Sequence, residues 1–216
     1  MPSGVQIGRL FGTDIYASFG FFFLLALPFL FGVEGGYVGA AVWDLAVVVS
    51  LLVHEFGHVF AVKWFLKGRS AIVLWMFGGL CVHDPTSDRR KRIAISLMGP
   101  AFQIALWAAL RPFAPRGRPE TVTELFLVHM LFANLVWPLL NLLPILPLDG
   151  GQAIRAAIEF RLPPGRALRA AALLSMGVAA AGVAAACLWT DSTFLILLGG
   201  LLLLENLKTV QAGRGL

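Results

Sequence analysis

A chain of 216 residues with 58% hydrophobic side chains, 13% charged ones and a mean hydropathy of +0.82 is too poor in charge for an ordinary soluble domain, which is about one-quarter charged. The formal net charge of +5 does not indicate a nucleic-acid partner, because the basic residues gather in short loops between apolar runs, a distribution that orients membrane proteins. Cys81 and Cys187 have neither the number nor the spacing of a zinc knuckle or disulfide framework, and both read as small hydrophobes.

Six charge-poor runs follow in order, at residues 15–33, 38–65, 93–110, 125–146, 170–189 and 194–207. Most reach the roughly 20 residues that a helix needs to cross the hydrocarbon. The expected fold is therefore an α-helical integral membrane protein with about six transmembrane helices, forming one domain over residues 1–216. The sixth run is short and interrupted by Glu205, so it is expected to tilt or to end at the interface. Arg9 precedes an apolar run without a small-residue cleavage site, so the first span is expected to stay in place.

Between the second and third spans the pattern changes. Ile72 to Phe77 runs apolar into Gly78-Gly79, followed by Leu80-Cys81-Val82. β-Branched and aromatic residues around a Gly-Gly turn predict a β hairpin or paired strands. The segment is too short to span, so it is expected to be membrane-associated, and a strand edge there needs protein, water or a peptide to satisfy it.

Alternating the loops between two sides tests this order. One side takes Arg9, Lys63, Lys67, Arg69, Arg89, Arg90, Lys91, Arg92, Arg155, Arg161, Arg166, Arg169, Lys208 and Arg214, and the other only Arg111, Arg116 and Arg118. Fourteen of the 17 basic residues on one side predict a multi-pass protein of the cell membrane with both termini in the cytoplasm.

The second run carries His54-Glu55-Phe56-Gly57-His58. Residues four apart project from one face of a helix, so two imidazoles can hold one zinc ion while Glu55 takes a proton from its water. Ionisable groups inside a span cost about 2.5–3.5 kcal/mol each and are expected to be functional. Catalytic zinc usually has three protein ligands and a water. His83, Asp84, His129 and Asp149 are available as the third. Asp149 stands out for its setting, Asn141-Leu142-Leu143-Pro144-Ile145-Leu146-Pro147-Leu148-Asp149-Gly150-Gly151, where prolines free backbone groups that only protein or a wet cavity can satisfy at membrane depth. A helix-terminal cap is the plainer reading of Asp149, and a packed or interfacial side chain that of His129.

These motifs resemble the site-2 protease family of intramembrane zinc metalloproteases. The resemblance rests on the histidine motif and on Asn-x-x-Pro-x-x-Pro-x-Asp-Gly, with support from Gly8-Arg9-Leu10-Phe11-Gly12, Gly78-Gly79 and Gly99-Pro100. It covers nearly the whole chain in family order, in a compact form expected to lack PDZ and CBS domains. It implies one Zn2+ per chain held by His54, His58 and Asp149, with Glu55 as general base. It also implies that Asn141 lines the site and helps stabilise the oxyanion, and that the strand-forming loop matches the family's sheet, which pairs with an extended substrate. The implied partners are the lipid bilayer and a single-span transmembrane protein, cut by regulated intramembrane proteolysis, with no nucleic acid.

Other classes fit less well. A metal transporter also places His and Asp in its spans but has no need of Glu55 between them. A lipid hydroxylase or desaturase needs many more than the four histidines present. A zinc peptidase with a glutamate as third ligand would draw on Glu159 or Glu205, neither in a comparable setting. A catalytically silent relative that binds zinc and membrane partners keeps the same motifs, so an assay must separate it.

Overall fold

The computed structural model describes residues 4–32, 35–76, 78–189 and 192–212. Val33 of the first run, Phe77 of the apolar loop and Arg214 of the basic count lie outside the described residues. The chain divides into two compact units, one from residues up to Pro85 together with Met98–Leu139, the other from Thr86–Leu97 together with Leu140–Leu216.

The first unit opens on two strands, β1 (Val5–Leu10) and β2 (Thr13–Ala17), at the place where hydropathy alone predicts the start of a span. Thr13, Ile15 and Ala17 are buried while Asp14 and Tyr16 are less so, the period of two that marks a strand with one covered face. Phe11 and Gly12 take φ of 49° and 72°, the backbone of a two-residue turn matched to strand twist. Two helices follow, α1 (Phe19–Phe31) and α2 (Gly36–Leu66), and then strands β3 (Ser70–Trp75) and β4 (Gly78–His83). The strand order is β1-β2-β3-β4, with antiparallel outer pairs and β3 parallel to β2. The expected hairpin is thus half of a four-stranded sheet. A parallel pair needs a long crossover, and α1 and α2 supply it.

Ile15, Ala17, Ile72 and Leu74 from the sheet cluster with Phe21, Leu51, Phe56 and Val59. Burying a large apolar side chain contributes about 1.5–3 kcal/mol. This cluster therefore fixes the sheet on the half of α2 that carries the histidine motif. Two further helices follow, α3 (Arg89–Leu110) and α4 (Val122–Asn141). The portion of α3 from Met98 onward belongs to the first unit.

In the second unit, α5 (Asp149–Ile158) is followed by α6 (Pro164–Trp189) and α7 (Thr193–Ala212). The buried residues of α6 are all small: Ala167, Ala171, Ala172, Ser175, Ala179 and Ala186. Such a stripe lets helix backbones approach closely where lipid offers no hydrophobic drive. A β-carbon at Gly199 of α7 would stand 2.5 Å from Val183 Cγ2, so the approach is used.

Among the described residues, five helical segments are long and apolar enough to cross a membrane: Gly36–Leu66, Arg89–Phe113, Val122–Asn141, Pro164–Trp189 and Leu195–Ala212. Phe19–Phe31 is a shorter apolar helix of 13 residues. This is the expected helical membrane protein of about six apolar helices with a small sheet. Several boundaries move: the first helix begins after β2, the fourth ends at Asn141 because turns follow it, and α3, α6 and α7 extend beyond their charge-poor runs into charged residues.

Candidate metal centre

His54 and His58 lie one turn apart on α2 and are 4% and 7% exposed. Their Nε2 atoms face each other at 3.1 Å. Two imidazoles on one zinc at about 2.0–2.1 Å in tetrahedral geometry would hold their nitrogens roughly 3.3 Å apart, so the pair fits a shared ion. Glu55 is buried on the same helix at 2% exposure.

Glycines make the room. A β-carbon at Gly99 of α3 would collide with His58 Nε2 and Cε1 and come within 2.9 Å of His54 Nε2. The space in front of both nitrogens is therefore kept by the missing side chain, a cradle that fits an ion. A β-carbon at Gly57 would strike the Met98 carbonyl, so α3 can press directly on α2 here. Gly79 of β4 plays the matching part for Glu55, with which its absent β-carbon would overlap.

Behind the histidines runs a buried polar chain. His54 Nδ1 is 2.8 Å from Gln103 Oε1, and Gln103 Nε2 donates to the Ser50 carbonyl at 3.1 Å. Asn134 Nδ2 donates to Ser50 Oγ and to the Met130 carbonyl, each at 2.8 Å. The sequence reading missed Gln103, Ser50 and Asn134. Their signal was present as uncharged polar residues inside apolar spans, which must find partners there.

Asp149 belongs to the second unit as the first residue of α5, the N-cap being Leu148. A carboxylate in the first turn suits the helix dipole. The loop before it is gripped at Leu146, which packs with Ala171, Ala172 and Val210. Its N–H donates to Ser175 Oγ at 2.9 Å, and its carbonyl accepts from Asn206 Nδ2 at 2.6 Å. The Leu146–Pro147 peptide is cis. A β-carbon at Gly150 would overlap the Leu142 carbonyl, and one at Gly151 the Ile145 carbonyl, so the glycines let α5 start against its own loop. Asn141 is the last residue of α4. Ser175 and Asn206 were also unforeseen.

The other sequence candidates have different occupations. His83 ends β4, with Nδ1 2.7 Å from the Asp84 carbonyl, and Asp84 is exposed. His129 stands edge-on to Trp43 with centroids 5.1 Å apart, as a packed histidine does. Glu159 bonds Arg92 at 2.5 Å and lies 3.4 Å from Arg155, and Glu205 pairs with Lys208 at 2.7 Å. Neither glutamate is placed as a metal ligand. Burial first, and the Glu55 carboxylate second, push the Cys81 thiol up to about 12 against a lowering hydrogen bond from Ser70. Cys81 is therefore a protonated thiol at neutral pH.

No protein-family model matches the sequence. Relatives do. A provisionally named zinc metalloprotease of Synechocystis sp. is 29% identical over 172 residues, covering 73% of this chain and 45% of that one. Rip3 of Mycobacterium tuberculosis, also provisionally named a zinc metalloprotease, is 28% identical over 172 residues, with 72% and 44% covered. Stage IV sporulation protein FB of Bacillus subtilis is 31% identical over 128 residues, with 58% and 43% covered. The chain thus spans less than half the length of these relatives. The solved site-2 protease from Methanocaldococcus jannaschii has the same fold, with a TM-score of 0.71 over 96% of this chain and 95% of that one at 20% identity.

Proposed function

We propose that the chain is a member of the site-2 protease family and an intramembrane zinc endopeptidase acting on transmembrane segments of membrane proteins, a reading that its zinc-metalloprotease relatives and its shared fold support. The observation that carries this reading is the buried turn of α2, where two imidazoles face each other at 3.1 Å with Glu55 between them in sequence. In this reading His54, His58 and Asp149 hold one zinc ion per chain, and residues 1–216 work as one protease domain. The Pro-x-Asp-Gly setting of Asp149 and its place in family order support it as the third ligand.

When bound, zinc would supply Lewis acidity, polarising the scissile carbonyl and lowering the pKa of a water to about 7. Glu55 takes the proton of the attacking water and returns it to the departing amine. Its contact with Gly79 sets the carboxylate beside β4, an edge strand of the sheet. An unwound substrate segment added to that edge regains backbone hydrogen bonds that it loses on leaving its helix. Asn141 donates from its side-chain amide to the oxyanion. The substrate class is a single-span transmembrane protein, and both termini of the enzyme face the cytoplasm, as the loop charges favour.

Glu55→Gln tests the reading, because the amide keeps the shape of the side chain but cannot accept the proton at neutral pH. The variant should fold, retain zinc and bind a model transmembrane substrate. Its cleavage rate should fall about 10²–10⁴-fold. Undiminished cleavage would end the general-base assignment. Parent protein that holds zinc and substrate but never cuts would favour the catalytically silent relative.

A further inference from the structure

We propose that Gln103 is a positioning residue that fixes His54 in the tautomer and orientation that present Nε2 to the metal, an inference that rests on the zinc reading above. Gln103 is fully buried on α3, at 0% exposure, and its two hydrogen bonds leave its amide one orientation. The Ser50 carbonyl can only accept, so the amide nitrogen must face it, at 3.1 Å. The amide oxygen is then turned to His54, 2.8 Å from Nδ1. That oxygen can only accept as well, so Nδ1 must carry the proton and Nε2 must carry the lone pair. Nε2 is the atom that faces His58 Nε2 and the space left by Gly99.

The clamp is itself braced. Ser50 lies one helical turn before His54, and its hydroxyl accepts from Asn134 of α4 at 2.8 Å. Asn134 is held at its own i−4 carbonyl, Met130, at the same distance. The chain Asn134–Ser50–Gln103–His54 therefore links α4, α2 and α3 through buried polar groups. A metal-bound imidazole ordinarily has its other ring nitrogen hydrogen-bonded, and loss of that partner costs about 10–100-fold in metal affinity. A neutral amide in this place selects the tautomer without adding a charge inside the span, which a carboxylate partner would do.

The experiment uses the full chain purified in detergent and loaded with zinc or cobalt(II). Zinc affinity is measured by chelator competition, the cobalt d–d spectrum reports ligand geometry, and thermal unfolding reports the fold. Gln103→Leu keeps the approximate volume and removes both hydrogen bonds. Gln103→Glu keeps an acceptor toward Nδ1. The Leu variant should lose about 10–100-fold in zinc affinity, with an altered cobalt spectrum and a retained unfolding transition, and the Glu variant should recover most of the affinity and the parent spectrum. Parent-like zinc binding and cobalt spectrum in Gln103→Leu would overturn the proposal. Equal loss of metal and of the unfolding transition in both variants would also overturn it, in favour of a packing role. Parent protein that takes up no zinc would overturn the zinc reading, and this role with it, which separates the two failures.

Discussion

Gly79 of β4 lies hard against Glu55 of α2: a β-carbon built at position 79 would stand 2.5 Å from both Cγ and Oε1 of that glutamate. No side chain fits between the strand backbone and the carboxylate. The sheet therefore does more than cover α2. It sets an edge strand within contact of the group proposed to move the proton, so the position of a peptide bond added to that edge and the position of the base are fixed by one packing contact.

Gly79→Val should accordingly displace Glu55 while leaving His54 and His58 in place. Zinc content should stay near the parent level, and cleavage of a transmembrane substrate should fall about 10²–10⁴-fold, the loss expected for an acid–base group out of position. Parent-like turnover in a zinc-loaded Gly79→Val protein would show that the contact does not position the base.

Hydropathy made the apolar helices and the β3–β4 hairpin legible in the sequence, and motif spacing singled out His54, Glu55, His58 and Asp149 as the candidates for the site, because each signal lies within one local period. β1 and β2 were not legible. Thr13-Asp14-Ile15-Tyr16-Ala17 runs directly into the apolar α1, and its strand character depends on pairing with β3 more than fifty residues later. Gln103, Ser175 and Asn206 were missed for a related reason. Gln103 and Ser175 are lone polar residues in apolar stretches and Asn206 sits among the polar residues near the end of α7, and only the fold shows that their partners are His54 and Leu146.

The grip on Leu146 gives a prediction for the two helices farthest along the chain. Asn206→Leu leaves the Leu146 carbonyl buried without its donor, and Ser175→Ala leaves the Leu146 N–H without its acceptor. Each should cost about 1–3 kcal/mol, read as a lower thermal midpoint. The double variant should lose less than the sum, because both side chains hold one residue. Zinc affinity should fall along with stability if this loop presents Asp149. A full zinc complement in the double variant would detach the loop from the metal.

Loop charge predicts orientation. Reporters fused after Arg92 and at the C-terminus should both read cytoplasm, and one near Arg116 should read the opposite side, since 14 of the 17 basic residues fall on one side of the alternation. A C-terminal reporter on the outer side would mean that Leu195–Ala212 does not complete the last crossing.

The ligand assignment makes the most direct demand on the protein. His54→Ala and Asp149→Ala each remove one of three proposed protein bonds to zinc and should strongly lower zinc bound per chain. Gly99→Val should do the same without touching a ligand, because its side chain would occupy the space in front of both Nε2 atoms. His83→Ala and His129→Ala should keep the parent zinc content, since His83 already bonds the Asp84 carbonyl and His129 packs on Trp43. Chelation should abolish cleavage in the parent, and added zinc should restore it. Zinc retained by Asp149→Ala and lost by His83→Ala would transfer the third ligand to β4 and overturn the assignment of Asp149.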